Sequence, residues 1–384
     1  MSKKNATPYE MIETRSDLEK FADQIAEERF VAVDLEADSM YHFRERVCLL
    51  QIATRNTNVL IDPLKIDDLS CLSPTFSAPE KQKIFHGADY DIRSLYRDFG
   101  LEISNLFDTQ LACRFLGFQE TGLEAVLQKF FNVSLNKKYQ KKDWSQRPLS
   151  PEMMKYAAQD AIYLIPLAQK LQERLDEKKR MNWVSEDCHL LSKVRAISHD
   201  QEPLFLRFRG AGRLKPRTLA VLESLLQMRQ EIAEKKDRPP FKVLGNASLI
   251  KIAEIRPITL NRLEQTGTLS RKQLNMYGGN VIQAVKEALK LSESELPRYP
   301  RKRGPILSPK VPDRVKALKQ WRDRRAEALE IDPALICNKS LMTTIAARNP
   351  KQPESLCNIE EMREWQKEVF GREIIGILQN GNIN

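Results

Sequence analysis

A chain of 384 residues is too long for a single hydrophobic core, so its length predicts two or three domains. Hydrophobic residues at 41% and charged residues at 30% are typical of soluble globular proteins, and no apolar run approaches a membrane span. Residues 1–205 contain 28 Lys and Arg against 32 Asp and Glu, whereas residues 206–384 contain 34 against 20. This asymmetry predicts a polyanion-binding C-terminal half joined to a domain that holds cations.

The cysteines are scattered along the chain without a CxxC pair, at Cys48, Cys71, Cys113, Cys188, Cys337 and Cys357. This spacing favours reduced thiols over disulfides or a zinc site, and it therefore predicts a cytoplasmic protein. Residues 1–20 include basic residues but no following apolar stretch, so no secretory signal is predicted.

Residues 1–205 contain apolar runs typical of strands, followed by helical patterns. The predicted strands are 29–36, 47–54, 58–63 and 83–88. The predicted helices are 91–100, 122–132 and 150–179, and 106–117 is predicted to be a strand end that continues into a helix. Ser150 followed by Pro151 is a strong signal for a helix start. Strands first and helices later predict an α/β domain over residues 1–205.

Residues 206–384 carry helical patterns without strand signals. Two helical segments, 213–291 and 312–380, are separated by a stretch rich in proline and charge. Residues 225–253 align with 318–346 as a degenerate repeat of a basic helix, a proline turn and a second helix that ends in Ile-Ala. The pattern predicts two small all-α helical-bundle domains, 210–291 and 312–384, joined by a linker over 292–311.

Asp34 and Glu36 are two residues apart on the first predicted strand, so both carboxylates leave the same face of the sheet. Neighbouring carboxylates repel each other, and a bound Mg²⁺ or Mn²⁺ would remove that cost. A solvated edge strand is the alternative explanation. However, the sequence FVAVDLE is apolar enough for a central strand, where an unpaired acid is costly.

Three further polar residues follow at helix positions. Asp91 opens the helix after the fourth strand, a corner where α/β domains place ligand groups. The spacing equally allows a helix N-cap, and it does not exclude Asp89 as the ligand. Tyr156 and Asp160 are four residues apart in the helix after Ser150, so the phenol and the carboxylate share a face. Four such acids are typical of phosphoryl transfer with two divalent cations.

Three sequence motifs contain these residues. They are VDLEAD (33–38), HGADYDIRSL (86–95) and YAAQDAIYL (156–164), and KKYQKKDWSQRPLS (137–150) precedes the third. Over residues 20–200 the chain resembles the ribonuclease D family of DEDD 3′→5′ exonucleases, in the subclass with tyrosine in the third motif. The resemblance implies a ribonuclease H-like or DnaQ-like α/β fold with a mixed sheet flanked by helices, and it selects Asp91 over Asp89.

The resemblance also implies a role for each motif residue. Asp34 would bridge two divalent cations, Mg²⁺ or Mn²⁺. Glu36 and Asp160 would complete the site that activates water, and Asp91 would help to hold the second cation. Tyr156 would position the attacking water, because a phenol with an ordinary pKa of about 10 is a weak base.

Residues close to the motifs are predicted to contact the substrate. Three that follow the first motif could wedge against the terminal base or sugar, although loop packing explains them equally well: Met40, Tyr41 and His42. Basic residues before the third motif are predicted to contact backbone phosphates: Lys137, Lys138, Lys141, Lys142 and Arg147. His86 is predicted to be a structural hydrogen-bonding residue, because hard divalent cations prefer oxygen ligands.

Residues 212–254 resemble the HRDC domain, through a helix, a basic spacer, a Pro-Pro turn and an Asn-Ala-Ser-Leu helix start. The second helical segment lacks the Pro-Pro turn and is HRDC-like. The combined resemblance implies a monomeric exoribonuclease that trims the 3′ ends of tRNA precursors and other small structured RNAs and releases 5′-mononucleotides. Two alternatives stay open: a DNA 3′→5′ exonuclease of the same fold, and a non-catalytic RNA-binding protein.

Overall fold

The computed structural model describes residues 9–135, 137–196, 202–300 and 308–380, without the side chains of Lys137 and Asn380. Residues 301–307 of the predicted linker therefore lie outside the described residues. The chain forms two compact units. The first unit comprises residues 1–37, 47–196 and 305–384, and the second unit comprises residues 38–46 and 197–304.

The elements of the first unit begin with the strands β1 (Glu10–Ile12), β2 (Phe30–Ala37), β3 (Val47–Ala53), β4 (Asn58–Ile61), β5 (Gln82–Phe85) and β6 (Leu106–Asp108). The helices among and after them are α1 (Arg15–Ile25), α2 (Ser73–Ser77), α3 (Asp89–Phe99), α4 (Thr109–Phe115), α5 (Leu123–Phe131), α6 (Pro151–Ile162), α7 (Leu164–Glu177) and α8 (Met181–Leu191). The second unit contains α9 (Pro216–Lys235), α10 (Pro240–Val243), α11 (Asn246–Ile255), α12 (Leu260–Gln265) and α13 (Arg271–Lys290). The first unit ends with α14 (Val311–Leu329), α15 (Pro333–Ile336), α16 (Lys339–Arg348) and α17 (Glu364–Asn380).

The strands of the described residues form one mixed sheet in the order β1-β4-β3-β2-β5-β6. β2 is antiparallel to β3 and parallel to β5, so it lies in the interior of the sheet. Its apolar residues Val31, Val33 and Leu35 are buried, as the alternating pattern predicts. Helices α3, α4, α6, α7 and α8 pack against the strands. The predicted α/β fold with a mixed sheet flanked by helices is confirmed.

Two predictions about the elements were incomplete. The sequence did not indicate β1, a strand of three residues that pairs with β4. The predicted single helix 150–179 is two helices, α6 and α7, with Tyr163 as the cap between them. Pro166 lies in the first turn of α7, where its missing N–H breaks the hydrogen-bond pattern of a continuous helix.

The second unit has its own hydrophobic core. Leu222 and Leu225 of α9, Leu249 of α11 and Val285 of α13 are buried together in it. This confirms that a helical bundle follows the α/β part. None of the helices in the described ranges of either unit is long and apolar enough to cross a membrane.

The C-terminal helices α14–α17 pack on the α/β part, within the first unit. The rings of Trp183 and Trp365 stack with centroids 4.5 Å apart. The carboxylate of Glu186 accepts hydrogen bonds from the backbone N–H groups of Glu364 at 2.7 Å and Trp365 at 3.0 Å, at the start of α17. The domain bounds predicted from the sequence stay predictions, but this shared core was not indicated by the sequence pattern.

Candidate active site

Asp34 and Glu36 project from β2 on the same face and are half-buried. Burial raises the pKa of Asp34 to about 6. Burial also raises the pKa of Glu36 well above its ordinary value, and the negative charges of Asp34, Asp160 and Asp91 raise it further. The predicted pairing of two carboxylates on an interior strand is therefore present, and their environment resists their ionisation.

Asp91 lies in the first turn of α3 and is buried. Burial raises its pKa well above the ordinary value, and the nearby charge of Asp34 adds to the shift. Asp89 is exposed and pairs with Arg93 at 2.8 Å on the surface of the same helix. The geometry thus brings Asp91, and not Asp89, to the other carboxylates, and Asp91 provides no side-chain cap for α3.

The turn before α3 is held by Asp108, a residue that the sequence analysis did not single out. Its buried carboxylate accepts hydrogen bonds from the backbone N–H groups of Gly87 at 3.0 Å and Ala88 at 2.8 Å. The same carboxylate caps α4 through the N–H groups of Gln110 and Leu111. Gly87 has a φ of 77°, which favours glycine, and a Cβ there would approach the Gln110 side chain to 3.0 Å. An Asp at the end of a short strand and directly before a helix is the signal that could have identified Asp108.

Tyr156 and Asp160 lie one turn apart on α6 and are buried. Ser150 caps this helix by accepting a hydrogen bond from the Met153 N–H at 3.3 Å, as predicted for the helix start. Burial raises the pKa of Asp160 well above its ordinary value, and the charge of Asp34 adds to the shift. Burial and the charge of Asp160 also raise the pKa of Tyr156. The phenol is therefore neutral at physiological pH and forms a hydrogen bond with Asp160.

Two aromatic side chains from the segment before α6 flank the Tyr156 ring. The centroid of Tyr139 lies 6.0 Å and that of Trp144 lies 6.1 Å from the centroid of Tyr156. Trp144 is fully buried, whereas Tyr139 is half-buried. These contacts restrict the orientation of the tyrosine ring.

Three of the four carboxylates, those of Asp34, Glu36 and Asp160, line a cleft of about 440 Å³ together with Tyr156, whereas Asp91 is not among its lining residues. Their donor set suits hard divalent cations, because it consists of carboxylate oxygens. No lysine or arginine charge in the described structure offsets the raised pKa values of these acids. The Oδ1 atom of Asp160 is buried there without a hydrogen-bond partner. Within the described ranges, no group of three or more His, Cys, Asp or Glu side chains is arranged to hold a metal ion.

His86 lines the same cleft and is held by Thr109. The Thr109 hydroxyl donates to the Phe85 carbonyl at 2.9 Å, and its oxygen lies 2.9 Å from His86 Nδ1. Because the Thr109 hydroxyl proton is already donated to the Phe85 carbonyl, the Thr109 oxygen accepts a hydrogen bond from the Nδ1–H group of His86. Burial lowers the pKa of His86, which keeps the imidazole neutral. This geometry agrees with the predicted structural role.

The basic segment before α6 divides into two groups. The side chains of Lys138, Lys141 and Lys142 are exposed, and that of Lys137 lies outside the described structure. Arg147 instead turns inward and binds both carboxylate oxygens of the buried Asp62 at 2.6 Å. It also donates to the backbone carbonyls of Cys48 and Trp144. Arg147 is therefore occupied by protein acceptors, which corrects the expectation of a phosphate contact for this residue.

Met40, Tyr41 and His42 belong to the second unit. His42 Nδ1 lies 2.7 Å from a carboxylate oxygen of Asp237, and the Lys242 ammonium lies 4.3 Å from the centroid of the Tyr41 ring. Met40 is exposed. Loop packing thus accounts for Tyr41 and His42, as the alternative explanation anticipated, and a contact with a terminal base or sugar stays a prediction.

An α/β domain with four acids and a tyrosine gathered on β2, α3 and α6 defines a DnaQ-like 3′→5′ exonuclease. The family model described as a 3′-5′ exonuclease matches residues 9–176, and the HRDC domain model matches residues 218–285 and 312–378. The ribonuclease D of Bartonella henselae is 30% identical over 387 residues, covering 97% of this chain and 93% of the relative. The chain belongs to the ribonuclease D family.

Two further similarities agree with this assignment. The ribonuclease D of Gluconacetobacter diazotrophicus is 29% identical over 96% of this chain and 92% of the relative. The crystal structure of Escherichia coli RNase D superposes with a TM-score of 0.73 over 97% of this chain and 99% of that chain, at 24% identity, which supports the fold. The predicted family, fold and enzyme class, a hydrolytic 3′→5′ exoribonuclease, are confirmed.

Proposed function

We propose that this enzyme trims the 3′ ends of tRNA precursors and other small structured RNAs in the cytoplasm, as a monomer. Water would attack the terminal phosphodiester, and each cycle would release a 5′-mononucleotide. E. coli RNase D is described as an exoribonuclease involved in structured RNA processing, which supports this substrate class. The excess of 34 Lys and Arg over 20 Asp and Glu in residues 206–384 supports the binding of a polyanion by the helical half.

The convergence of four carboxylates without a compensating cation in the described structure carries the proposal. We assign two divalent cations, Mg²⁺ or Mn²⁺, to Asp34, Glu36, Asp91 and Asp160. When bound, the cations neutralise the developing charge on phosphate and lower the pKa of water. The charge of Asp34 raises the pKa values of Glu36, Asp91 and Asp160, so Asp34 is close to all three acids and would hold the cations together with them.

Tyr156 orients the attacking water in this proposal. Its neutral phenol hydroxyl is fixed by Asp160, and its ring is flanked by Tyr139 and Trp144. A phenol whose pKa is raised above its ordinary value of about 10 stays protonated at neutral pH and does not act as a general base. Tyr156 therefore contributes orientation and a hydrogen bond. The exposed lysines Lys138 and Lys142 contact the RNA backbone.

The decisive experiment compares substrates that differ only in the sugar. Initial rates are measured on RNA and DNA of one sequence with 3′ overhangs, and the released nucleotides are identified chromatographically. Faster release of 5′-mononucleotides from RNA, lost in EDTA, is expected. Equal or faster degradation of DNA would favour the DNA exonuclease, and RNA binding without any hydrolysis would favour the non-catalytic alternative.

A matched pair of substitutions on one helix tests the site. Asp91→Asn removes a proposed ligand and is expected to lower kcat by at least about 100-fold, since each carboxylate helps to hold the cations. Asp89→Asn removes an exposed charge two residues away and should leave kcat within about twofold, because exposed ion pairs contribute little. Comparable effects of the two substitutions would contradict the assignment.

A further inference from the structure

Gln51 is a fully buried amide next to the proposed metal site. It lies in the middle of β3, opposite Asp34 on β2 and opposite Leu60 on β4. Directly opposite residues of antiparallel strands point to the same face, with Cβ atoms about 5 Å apart. Gln51 thus shares the face of Asp34, and its side chain is 0% exposed.

Neither polar atom of the Gln51 side chain has a hydrogen-bond partner within the described structure. Burying an amide without a hydrogen-bond partner is strongly unfavourable, because the group loses its hydrogen bonds to water. The flanking residues Leu50 and Ile52 show that β3 otherwise buries apolar side chains. A leucine at this position would avoid the cost of burying an unpartnered amide. We therefore expect the Gln51 amide to have a hydrogen-bond partner in the active enzyme.

Asp160, a residue of the proposed metal site, contains an unpartnered acceptor atom that could pair with the Gln51 amide. The Asp160 Oδ1 atom is buried without a hydrogen-bond partner, whereas Gln51 offers a buried N–H donor. Helix α6, which carries Asp160, packs on β2, β3 and β4. Asp160 and Asp34 line the same cleft, and Asp34 is the residue opposite Gln51 on the neighbouring strand.

We propose that Gln51 is a positioning residue whose side-chain N–H donates a hydrogen bond to the facing carboxylates of Asp34 and Asp160 when they hold divalent cations. Such a bond fixes the orientation of a ligating carboxylate and leaves its other lone pairs for the cation. The inference rests on the proposed metal-binding function of the four acids. Loss of a hydrogen bond of this kind weakens metal affinity by about 10–100-fold.

The test uses the full-length protein and the variant Gln51→Leu. Thermal unfolding is measured in EDTA, and Mn²⁺ affinity is measured by titration calorimetry. The variant is expected to unfold in EDTA at a temperature equal to or above that of the unsubstituted protein, because an unpartnered amide is gone. Its Mn²⁺ affinity is expected to fall by about 10–100-fold, and raising Mn²⁺ is expected to restore kcat on RNA.

Gln366→Leu is the matched control. Gln366 is also buried, but its Nε2 donates to the carbonyls of Leu335 and Ile336, and its Oε1 accepts from the Arg363 N–H. Its substitution is expected to lower the unfolding temperature in EDTA and to leave Mn²⁺ affinity unchanged. Gln51→Met is measured in parallel, so that misfolding of one variant does not decide the result.

Two outcomes would overturn the role of Gln51. One is Mn²⁺ affinity within about threefold of the unsubstituted protein in both Gln51 variants, which is less than the loss expected for such a bond. The other is a drop of the unfolding temperature in EDTA as large as that of Gln366→Leu, which would make the amide a structural group. Asp34→Asn separates the two hypotheses: if it binds Mn²⁺ normally, the proposed metal site itself fails and the role of Gln51 falls with it.

Discussion

Asp108→Ala tests whether one buried carboxylate holds the turn that carries Asp91. The substitution deprives two backbone N–H groups, those of Gly87 and Ala88, of their acceptor. Each buried N–H left without a partner costs about 1–3 kcal/mol. The loss of the α4 cap adds about 1 kcal/mol. We therefore expect the free energy of unfolding of the first unit to fall by about 3–7 kcal/mol.

Urea denaturation followed by tryptophan fluorescence measures this loss, since Trp144 and Trp183 are buried in the first unit. With an m-value of about 2 kcal/mol/M in urea, the expected decrease corresponds to a midpoint about 1.5–3.5 M lower. Asp332→Ala is the control, because Asp332 also caps a helix of this unit but is exposed. Among the described residues, its carboxylate accepts a hydrogen bond from the Ala334 N–H alone. Its expected cost is about 1 kcal/mol or less. If the two substitutions shift the midpoint equally, the proposed role of Asp108 as a multiple acceptor is refuted.

Two further predictions concern pH and charge. In EDTA, the raised pKa of Asp34, about 6 instead of 3.8, means that the folded protein holds this proton more tightly than the unfolded chain. The free energy of unfolding should therefore decrease as the pH rises from about 4 to above 6. Thermal unfolding measured across that pH range should show a smaller decrease for Asp34→Asn than for the unsubstituted protein. Arg147→Gln should lower the free energy of unfolding by about 3–5 kcal/mol, because it leaves the buried carboxylate of Asp62 unpaired. The same substitution should leave the salt dependence of RNA binding unchanged. Lys142→Gln should instead preserve stability and reduce the slope of log affinity against log salt by about 0.7–0.9. Urea denaturation measures the stability and filter binding measures the salt dependence. If Lys142→Gln lowers the stability and Arg147→Gln lowers the salt dependence, the assignment of Arg147 to Asp62 and of Lys142 to RNA is contradicted.

Strand β2 and the helix start at Ser150 could be predicted because local patterns specify them. Alternating apolar residues set the burial of β2, and the position of Asp34 and Glu36 then follows from strand geometry. Ser150 and Pro151 fix the start of α6. The division of the predicted helix at Tyr163 was missed, because the pattern of buried residues continues across it.

Other features of the site depend on contacts that are distant in sequence. The bonds from Asp108 to Gly87 and Ala88, and the pair between Arg147 and Asp62, join residues about 20 and 85 positions apart. A basic residue before the third motif looks the same in sequence whether it faces RNA or a buried carboxylate. Burial of Gln51 beside Asp34 likewise follows from the register between β2 and β3, which the sequence pattern does not specify.

The first helical domain is inserted into the first unit, since α14–α17 share a core with the sheet. A stop codon after residue 205 would therefore remove both helical segments and uncover Trp183, which is 5% exposed in the intact chain. A mutant enzyme made in this way would lose stability for reasons unrelated to RNA. Joining residue 196 to residue 308 through a short glycine-serine linker would remove α9–α13 and keep the Trp183–Trp365 stack. Dissecting this chain therefore calls for excision from the middle of its gene.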